Sequence, residues 1–219
     1  VLRSSLINLL KKNAVISEQA FMFDKTVLVK IGRFVGGMFL ISFVAAINTQ
    51  LDKLAISKLL KIEELGYYAI GISLSQMLLV LVNPIVTATL PRFTGFFSEK
   101  KVTEATELFF KLLLIVSILI FSFAANIIFN SKEIVFIWTG NVELANHSYK
   151  YVPFLCAGAA LLGIITIPFN LAIANGYTKI NNILGILSLI FTIPGYWLAV
   201  KNFGSLGAAV SSLVLQIVT

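Results

Sequence analysis

Long apolar runs separated by short polar segments dominate the chain. Six stretches approach the roughly 20 mostly apolar residues that an α-helix needs to span a bilayer. They lie at about residues 31–57, 66–93, 108–129, 151–174, 181–200 and 205–219. The runs are continuously apolar and lack the two-residue alternation of a membrane β-barrel strand. The pattern therefore predicts an all-α, polytopic transmembrane bundle of about six helices.

Short polar connectors separate the predicted helices. They are expected at Lys58–Leu65, Thr94–Glu107, Asn130–Tyr149, Asn175–Asn181 and Lys201–Gly204. Ahead of the six-helix bundle, which occupies residues 31–219, leucines between residues 2 and 10 follow helical spacing and lead into Lys11 and Lys12. Residues 1–30 thus fit either the end of a preceding spanning helix or a cytoplasmic surface segment. We favour the first, and we expect the chain to be part of a longer protein.

Composition supports a membrane protein and excludes a soluble domain. Hydrophobic residues make up 58% and charged residues only 12% of the chain, and the mean hydropathy is +0.94. A soluble domain carries about 25% charged residues. The formal charge of +7 fits cytoplasmic loops and anionic lipid headgroups. Because the basic residues are scattered, no nucleic acid partner is expected.

The distribution of positive residues predicts the orientation. Eleven Lys and Arg residues fall on the side of the N-terminal segment, and six fall on the other side. The positive-inside rule therefore makes the N-terminal segment cytoplasmic. Trp138 and Trp197 then lie near the outer interface, where amphipathic rings are favoured.

The first predicted helix carries a polar face. Ser42, Ala45, Asn48, Thr49 and Asp52 share one side of a helix, opposite a lipid-type side of leucine, isoleucine and phenylalanine. A charged residue inside a span is costly, which makes it a candidate for function. Two interpretations of Asp52 stay open: it lines a water-filled cavity, or it is a structural residue paired near the interface.

The second predicted helix supplies three further candidates. Gln76 and Asn83 are spaced to share a face, and Pro84 and Pro91 each remove a backbone donor. These prolines fit either a helix that bends during transport or a static kink. Arg92 lies at the cytoplasmic end of this helix. It is interpreted either as a phosphate ligand at a cavity mouth or as an anchor of the positive-inside type.

Signals for an enzyme, a metal site or a channel are poor. The chain has a single histidine, His147, and a single cysteine, Cys156, and its spans carry no paired carboxylates. We expect no catalytic residues, no metal and no cofactor. Asn83-Pro84-Ile85 is half of an aquaporin-like signature without a second copy, so a channel of that kind is excluded. Gly32 and Gly36 form a GxxxG pair, whose ordinary meaning is close helix packing.

Five segments, taken in order and with their spacing, resemble one transporter family. They are TQLDKLAISKLLKIEELGYYAIG (Thr49–Gly71), VNPIVTATLPRF (Val82–Phe93), IVFIWTG (Ile134–Gly140), IPFNLAIANGYTKINN (Ile167–Asn182) and FGSLGAAVSS (Phe203–Ser212). They look like the polysaccharide flippases, which move O-antigen or capsule repeat units, in the MATE-like multidrug/oligosaccharidyl-lipid/polysaccharide superfamily. Asp52 and Lys53 match the family's Asp-Lys position.

The resemblance implies both an architecture and a function. Family members have two helical bundles around a central cavity, and this chain would be the second bundle, in the C-terminal portion. They move undecaprenyl-diphosphate-linked oligosaccharide across the inner membrane by alternating access, which makes the lipid-linked oligosaccharide, membrane lipids and other polysaccharide-assembly proteins the expected partners. The family's cavity is generally basic, whereas these spans carry few internal cations. Two alternatives remain: a cation-coupled multidrug exporter of the same fold, and a membrane-embedded enzyme of glycan or lipid assembly.

Overall fold

The structure is a computed structural model that describes residues 25–177 and 179–218, and every regular element in those ranges is an α-helix. The described helices are α1 (Lys25–Leu59), α2 (Ile62–Ser98), α3 (Val102–Phe129), α4 (Ser131–Thr139), α5 (Val142–Ser148), α6 (Val152–Ala174) and α7 (Lys179–Val218). Among them α1, α2, α3, α6 and α7 are long and apolar enough to cross a membrane. The predicted all-α polytopic bundle is confirmed.

The chain divides into two compact units, residues 1–36 and residues 37–219. The described part of the first unit is the beginning of α1. The predicted leucine-rich segment before residue 25 lies outside the described residues. All contacts between helices given below lie within the second unit.

The last two predicted spans are joined in α7 across a break at one residue. Gly204 has φ 64° and ψ −153°, a backbone conformation that is unfavourable for any residue with a Cβ atom. Residues on either side of the break, Val200 and Ala208, pack in the same buried cluster. The predicted connector Lys201–Gly204 is therefore wrong in extent, because the helical residues continue to a kink at Gly204 alone.

Three other predicted connectors are largely helical, and one of them, Thr94–Glu107, is interrupted only at residues 99–101. Lys58–Leu65 is interrupted only at Leu60 and Lys61, since α1 and α2 extend into it from both sides. The segment predicted as the connector Asn130–Tyr149 instead forms α4 and α5. Gly140 ends α4 in the left-handed conformation, and the Asn141 side chain accepts hydrogen bonds from the first-turn amides of α5. Local capping thus adds two helices that the hydrophobic pattern did not indicate.

Helix α2 continues through both of its internal prolines. It runs 37 residues from Ile62 to Ser98, with Pro84 and Pro91 inside it. Each proline removes one amide donor, yet the remaining backbone hydrogen bonds and the packing of the apolar face keep the segment helical. Both prolines therefore lie inside one helix, in agreement with the span predicted at about residues 66–93.

The main core lies where α2, α3 and α6 pack together. Leu78, Val116, Ile120 and Ile167 are buried there. Gly163 on α6 gives Ile120 of α3 the space that a side chain would occupy, so the two helices approach closely. Helices α2, α3 and α6 consequently form the packed centre of the described bundle.

A second buried cluster lies at one end of the bundle, where the α1–α2 junction, the start of α6 and the Gly204 break meet. We call this the connector end. Its buried residues are Ala55, Ile56, Tyr68, Tyr151, Leu155, Tyr196, Val200, Ala208 and Ala209. Gly71 of α2 packs against Leu155 of α6 there. These three segments were predicted on the same side of the membrane, and their meeting agrees with that alternation.

Candidate functional site

Asp52 links α1 to α2 at the connector end. Its Oδ2 atom accepts a 3.0 Å hydrogen bond from the hydroxyl of Tyr68, whose ring is fully buried. Its Oδ1 atom accepts a 2.7 Å bond from the amide of Lys53. Both carboxylate oxygens therefore have protein donors, which lowers the cost of placing the group inside a span.

The predicted polar face of α1 divides into a packed part and an open part. Asn48 donates a 3.0 Å hydrogen bond to the hydroxyl of Ser188 on α7, and its Oδ1 atom is buried without a partner among the described residues. Thr49 is exposed and bonds the carbonyl of Ala46 in its own helix. Asn48 thus faces α7, whereas Thr49 and Ser42 face outward.

Gln76 and Asn83 belong to a row of exposed polar residues that follows α2. We call this row the polar stripe, and it consists of Ser73, Gln76, Asn83, Thr87 and Thr94. At 100° per residue these positions fall within an arc of about 80°. The buried residues of α2, Leu74, Leu78 and Val82 among them, lie on a different face. The polar stripe therefore recurs along a face of a spanning helix that the described residues leave uncovered, and the exposed Val80 interrupts it within the same arc.

Arg92 does not belong to the polar stripe. On an ideal helix it lies about half a turn round from Asn83, and its side chain is exposed. The six predicted site residues therefore do not form one cluster. The structure joins Asp52 to α2 and Asn48 to α7, sets Gln76 and Asn83 in the stripe, and leaves Thr49 and Arg92 apart.

A second carboxylate contact at the connector end was missed by the sequence prediction. The Oε2 atom of Glu64 accepts hydrogen bonds from the hydroxyls of Tyr151 at 2.8 Å and Ser205 at 3.0 Å. Burial raises the pKa of Tyr151, and its hydrogen bond to Glu64 raises it further, so the hydroxyl remains a donor. The available signal was that three predicted connectors share a side, but the pattern could not show which of their residues meet.

A cavity of about 340 Å³ opens beside this carboxylate. It is lined by Leu60, Lys61, Glu64, Lys150, Tyr151, Phe203, Gly204, Ser205 and Leu206. Lys150 places its Nζ atom 5.1 Å from the centre of the Tyr151 ring. The cavity combines two cations, one anion and apolar side chains at the ends of spanning helices.

Comparison with known proteins gives a match to a protein family. The model of a family described as "Polysaccharide biosynthesis protein" matches residues 4–142, which is more than half of the chain. No curated protein and no solved structure matches the chain. In the described residues, histidine, cysteine, aspartate and glutamate form no group of three that could hold a metal ion.

Proposed function

This chain belongs to the polysaccharide biosynthesis protein family, and from that premise we propose that it acts as a flippase for lipid-linked oligosaccharide repeat units. It moves the undecaprenyl-diphosphate-linked head from the cytoplasmic to the outer leaflet of the inner membrane. It makes no covalent change in its substrate. The chain is a multi-pass membrane protein by the length and apolarity of its helices.

The polar stripe of α2 is the observation that carries this proposal. Its two amides, Gln76 and Asn83, are exposed within a spanning helix, where hydrocarbon would leave their polar atoms poorly satisfied. A water-filled groove between two helical bundles removes that cost. The same groove gives an oligosaccharide head and its diphosphate a hydrated path, while the lipid tail remains in the bilayer.

Amide and hydroxyl groups suit a cargo that must be released. Each hydrogen bond between such a group and a sugar hydroxyl contributes roughly 0.5–1.5 kcal/mol net. Several such bonds hold a head group weakly and tolerate different sugars. Ser73 and Thr94 already donate to their own backbone, so among the described residues the stripe's free donors are the amides of Gln76 and Asn83 and the hydroxyl of Thr87.

In this proposal the chain is one bundle of a MATE-like transporter, in its C-terminal portion. A second bundle faces the polar stripe across the groove, and rocking of the two bundles gives alternating access. The second bundle supplies most of the positive charge that a diphosphate requires, because Arg92 is the stripe helix's one basic residue. Cation-coupled export has less support, since both oxygens of Asp52 are occupied by protein donors.

The excess of positive charge on the side of the N-terminal segment predicts that this side is cytoplasmic. In a variant with Cys156 replaced by alanine, a cysteine at position 100 is expected to react only from the cytoplasm. A cysteine at position 141 is expected to react only from outside. Membrane-impermeant maleimide added to intact and to opened cells measures both. Labelling of both positions from the same side would contradict the orientation and the helix count together.

Asp52 offers a test of whether the α1–α2 contact matters to transport. Asp52→Asn keeps an oxygen that accepts from Tyr68 but removes the charge, and it is expected to reduce export several-fold at normal membrane expression. Tyr68→Phe is the matched variant, since it removes the hydroxyl and leaves the charge. Surface polysaccharide per unit of membrane protein is the readout. Full export by Asp52→Leu would contradict a role in transport.

Deleting the gene that encodes the chain tests the proposed function in cells. We expect surface polysaccharide to be lost and lipid-linked repeat units to accumulate on the cytoplasmic face. Extraction of lipid-linked intermediates, with detection of their sugars, distinguishes a block in translocation from a block in synthesis. If complete repeat units are never made in the deletion strain, the protein acts in synthesis and the flippase proposal fails.

A further inference from the structure

The cavity at the connector end holds two lysines that form no ion pair. Lys61 and Lys150 are exposed along its lining, and neither lies within a salt bridge of the described chain, where the ion pairs are Lys101–Glu99 and Lys111–Glu107. Lys61 also stands at the N-terminus of α2, where unpaired amides add positive potential. These two lysines suit the cavity to a phosphate group.

Glu64 gives the same cavity a carboxylate of fixed orientation. Tyr151 and Ser205, both almost fully buried, donate to its Oε2 atom. Its Oε1 atom accepts no hydrogen bond from the described residues. A ligand that occupies the cavity therefore meets an open anionic acceptor in the same lining as the two lysines, and a simple anion would leave that acceptor unpaired.

Apolar side chains continue from the cavity onto the outside of the bundle. Phe203 is 74% exposed and Leu206 is 38% exposed, and both line the cavity. The cavity lies where three helices of the bundle begin or break, at Ile62, Val152 and Gly204. For spanning helices this is the depth of the lipid headgroups, with apolar rings positioned to contact the glycerol and upper acyl region.

We propose that this cavity binds the headgroup of an aminophospholipid, the phosphoethanolamine group. The phosphate lies between Lys61 and Lys150, and the primary ammonium donates to the free Oε1 atom of Glu64. Phe203 and Leu206 contact the lipid's glycerol and upper acyl chains. The site is separate from the polar stripe, and it links α2, α6 and the second segment of α7 through one bound lipid.

The charges of the lining distinguish this headgroup from other common ones. Phosphatidylcholine carries a trimethylated ammonium, which has no hydrogen to donate to Glu64. Phosphatidylglycerol carries no cation, so it pairs with the lysines and leaves the carboxylate unpaired. One charge-assisted hydrogen bond gives a preference of about tenfold. We therefore expect phosphatidylethanolamine to bind about tenfold more tightly than either.

The test uses the full-length protein in lipid nanodiscs and counts retained lipids by native mass spectrometry. Nanodiscs contain phosphatidylcholine with increasing fractions of phosphatidylethanolamine or phosphatidylglycerol. Glu64→Gln is the main variant, because glutamine keeps an oxygen for Tyr151 and Ser205 but loses the charge. Glu63→Gln is its matched control, as Glu63 is the adjacent exposed glutamate outside the cavity. Lys132→Gln is likewise the matched control for Lys150→Gln.

The expected result is one retained phosphatidylethanolamine in the parent protein and in both controls. The preference for phosphatidylethanolamine over phosphatidylcholine is lost in Glu64→Gln. Retention of phosphatidylethanolamine falls in Lys150→Gln. Equal retention of the three lipids by the parent protein would overturn the proposal. So would an unchanged preference in Glu64→Gln, or equal retention of glycerophosphoethanolamine, which has the headgroup without acyl chains. None of these outcomes depends on flippase activity, so the proposed function is tested separately.

Discussion

Replacing Gln76 and Asn83 together with leucine is expected to reduce export of surface polysaccharide by about ten- to a hundredfold. The two side chains carry the free amide groups of the polar stripe, and losing their bonds to a passing head group removes roughly 1–3 kcal/mol. Leucine also turns part of the hydrated groove apolar. Folding should be preserved, because both positions are exposed and leucine has a high helix propensity.

A matched control separates the stripe from general effects of added apolar surface. Asn126 is an exposed asparagine on the neighbouring helix α3, away from the stripe. Asn126→Leu introduces the same change at a position without a proposed role, so export should stay near the parent level. Export is measured as surface polysaccharide normalised to the protein recovered in membranes. If Asn126→Leu and the double variant behave alike, the stripe has no special role.

Gly207→Ala is expected to have the largest effect on folding. A Cβ atom at residue 207 would collide with the backbone carbonyl of Ala199, on the other side of the Gly204 break. The two segments of α7 would have to separate, at a cost of about 1–3 kcal/mol or more for overpacking against backbone. We expect a lower yield of monodisperse protein in detergent and a lower thermal unfolding midpoint.

Gly195→Ala is the control for this substitution. Gly195 lies on the same helix, and nothing is within 4 Å of the position that its Cβ would take. Alanine there should be neutral or should stabilise the helix by up to about 1 kcal/mol. A Gly207→Ala protein as stable as the parent would show that α7 does not turn tightly at Gly204.

The hydrophobic pattern was sufficient for the class of fold and for most helices. Spans predicted at about 108–129 and 151–174 correspond closely to α3 and α6, because continuous apolar runs in a membrane have few alternatives to a helix. The ends were less accurate. Lys58–Leu65 contains several charged residues, yet most of it is helical, since charge at a membrane boundary does not end a helix.

Packing contacts were harder to predict than spans. The GxxxG pair Gly32–Gly36 was expected to mark close packing, but nothing in the described chain lies within 4 Å of an added Cβ at either glycine. Close approaches occur instead at Gly71, Gly163, Gly185 and Gly207, none of which stands in such a motif. Which small residue faces a neighbouring helix depends on rotation about the helix axis, and local spacing does not determine that rotation.

The candidate site, like the fold, could be predicted from the sequence only in part. The shared face of Gln76 and Asn83 follows from helical periodicity alone, and the structure leaves both exposed. No described contact brings this face to the polar face of α1, because Asn48 bonds Ser188 and Asp52 bonds Tyr68. Glu64 was assigned to a connector. Its contact was missed because its partners Tyr151 and Ser205 are distant in sequence.

The most direct test of flippase activity is translocation by the purified full-length protein in proteoliposomes. A lipid-linked oligosaccharide is placed in one leaflet, and its head group is followed by a lectin or a glycosidase that cannot cross the membrane. The protein is expected to make the second leaflet accessible much faster than protein-free liposomes do, with the substrate recovered chemically unchanged. No acceleration in active preparations, or recovery of a covalently altered glycan, would contradict flippase activity.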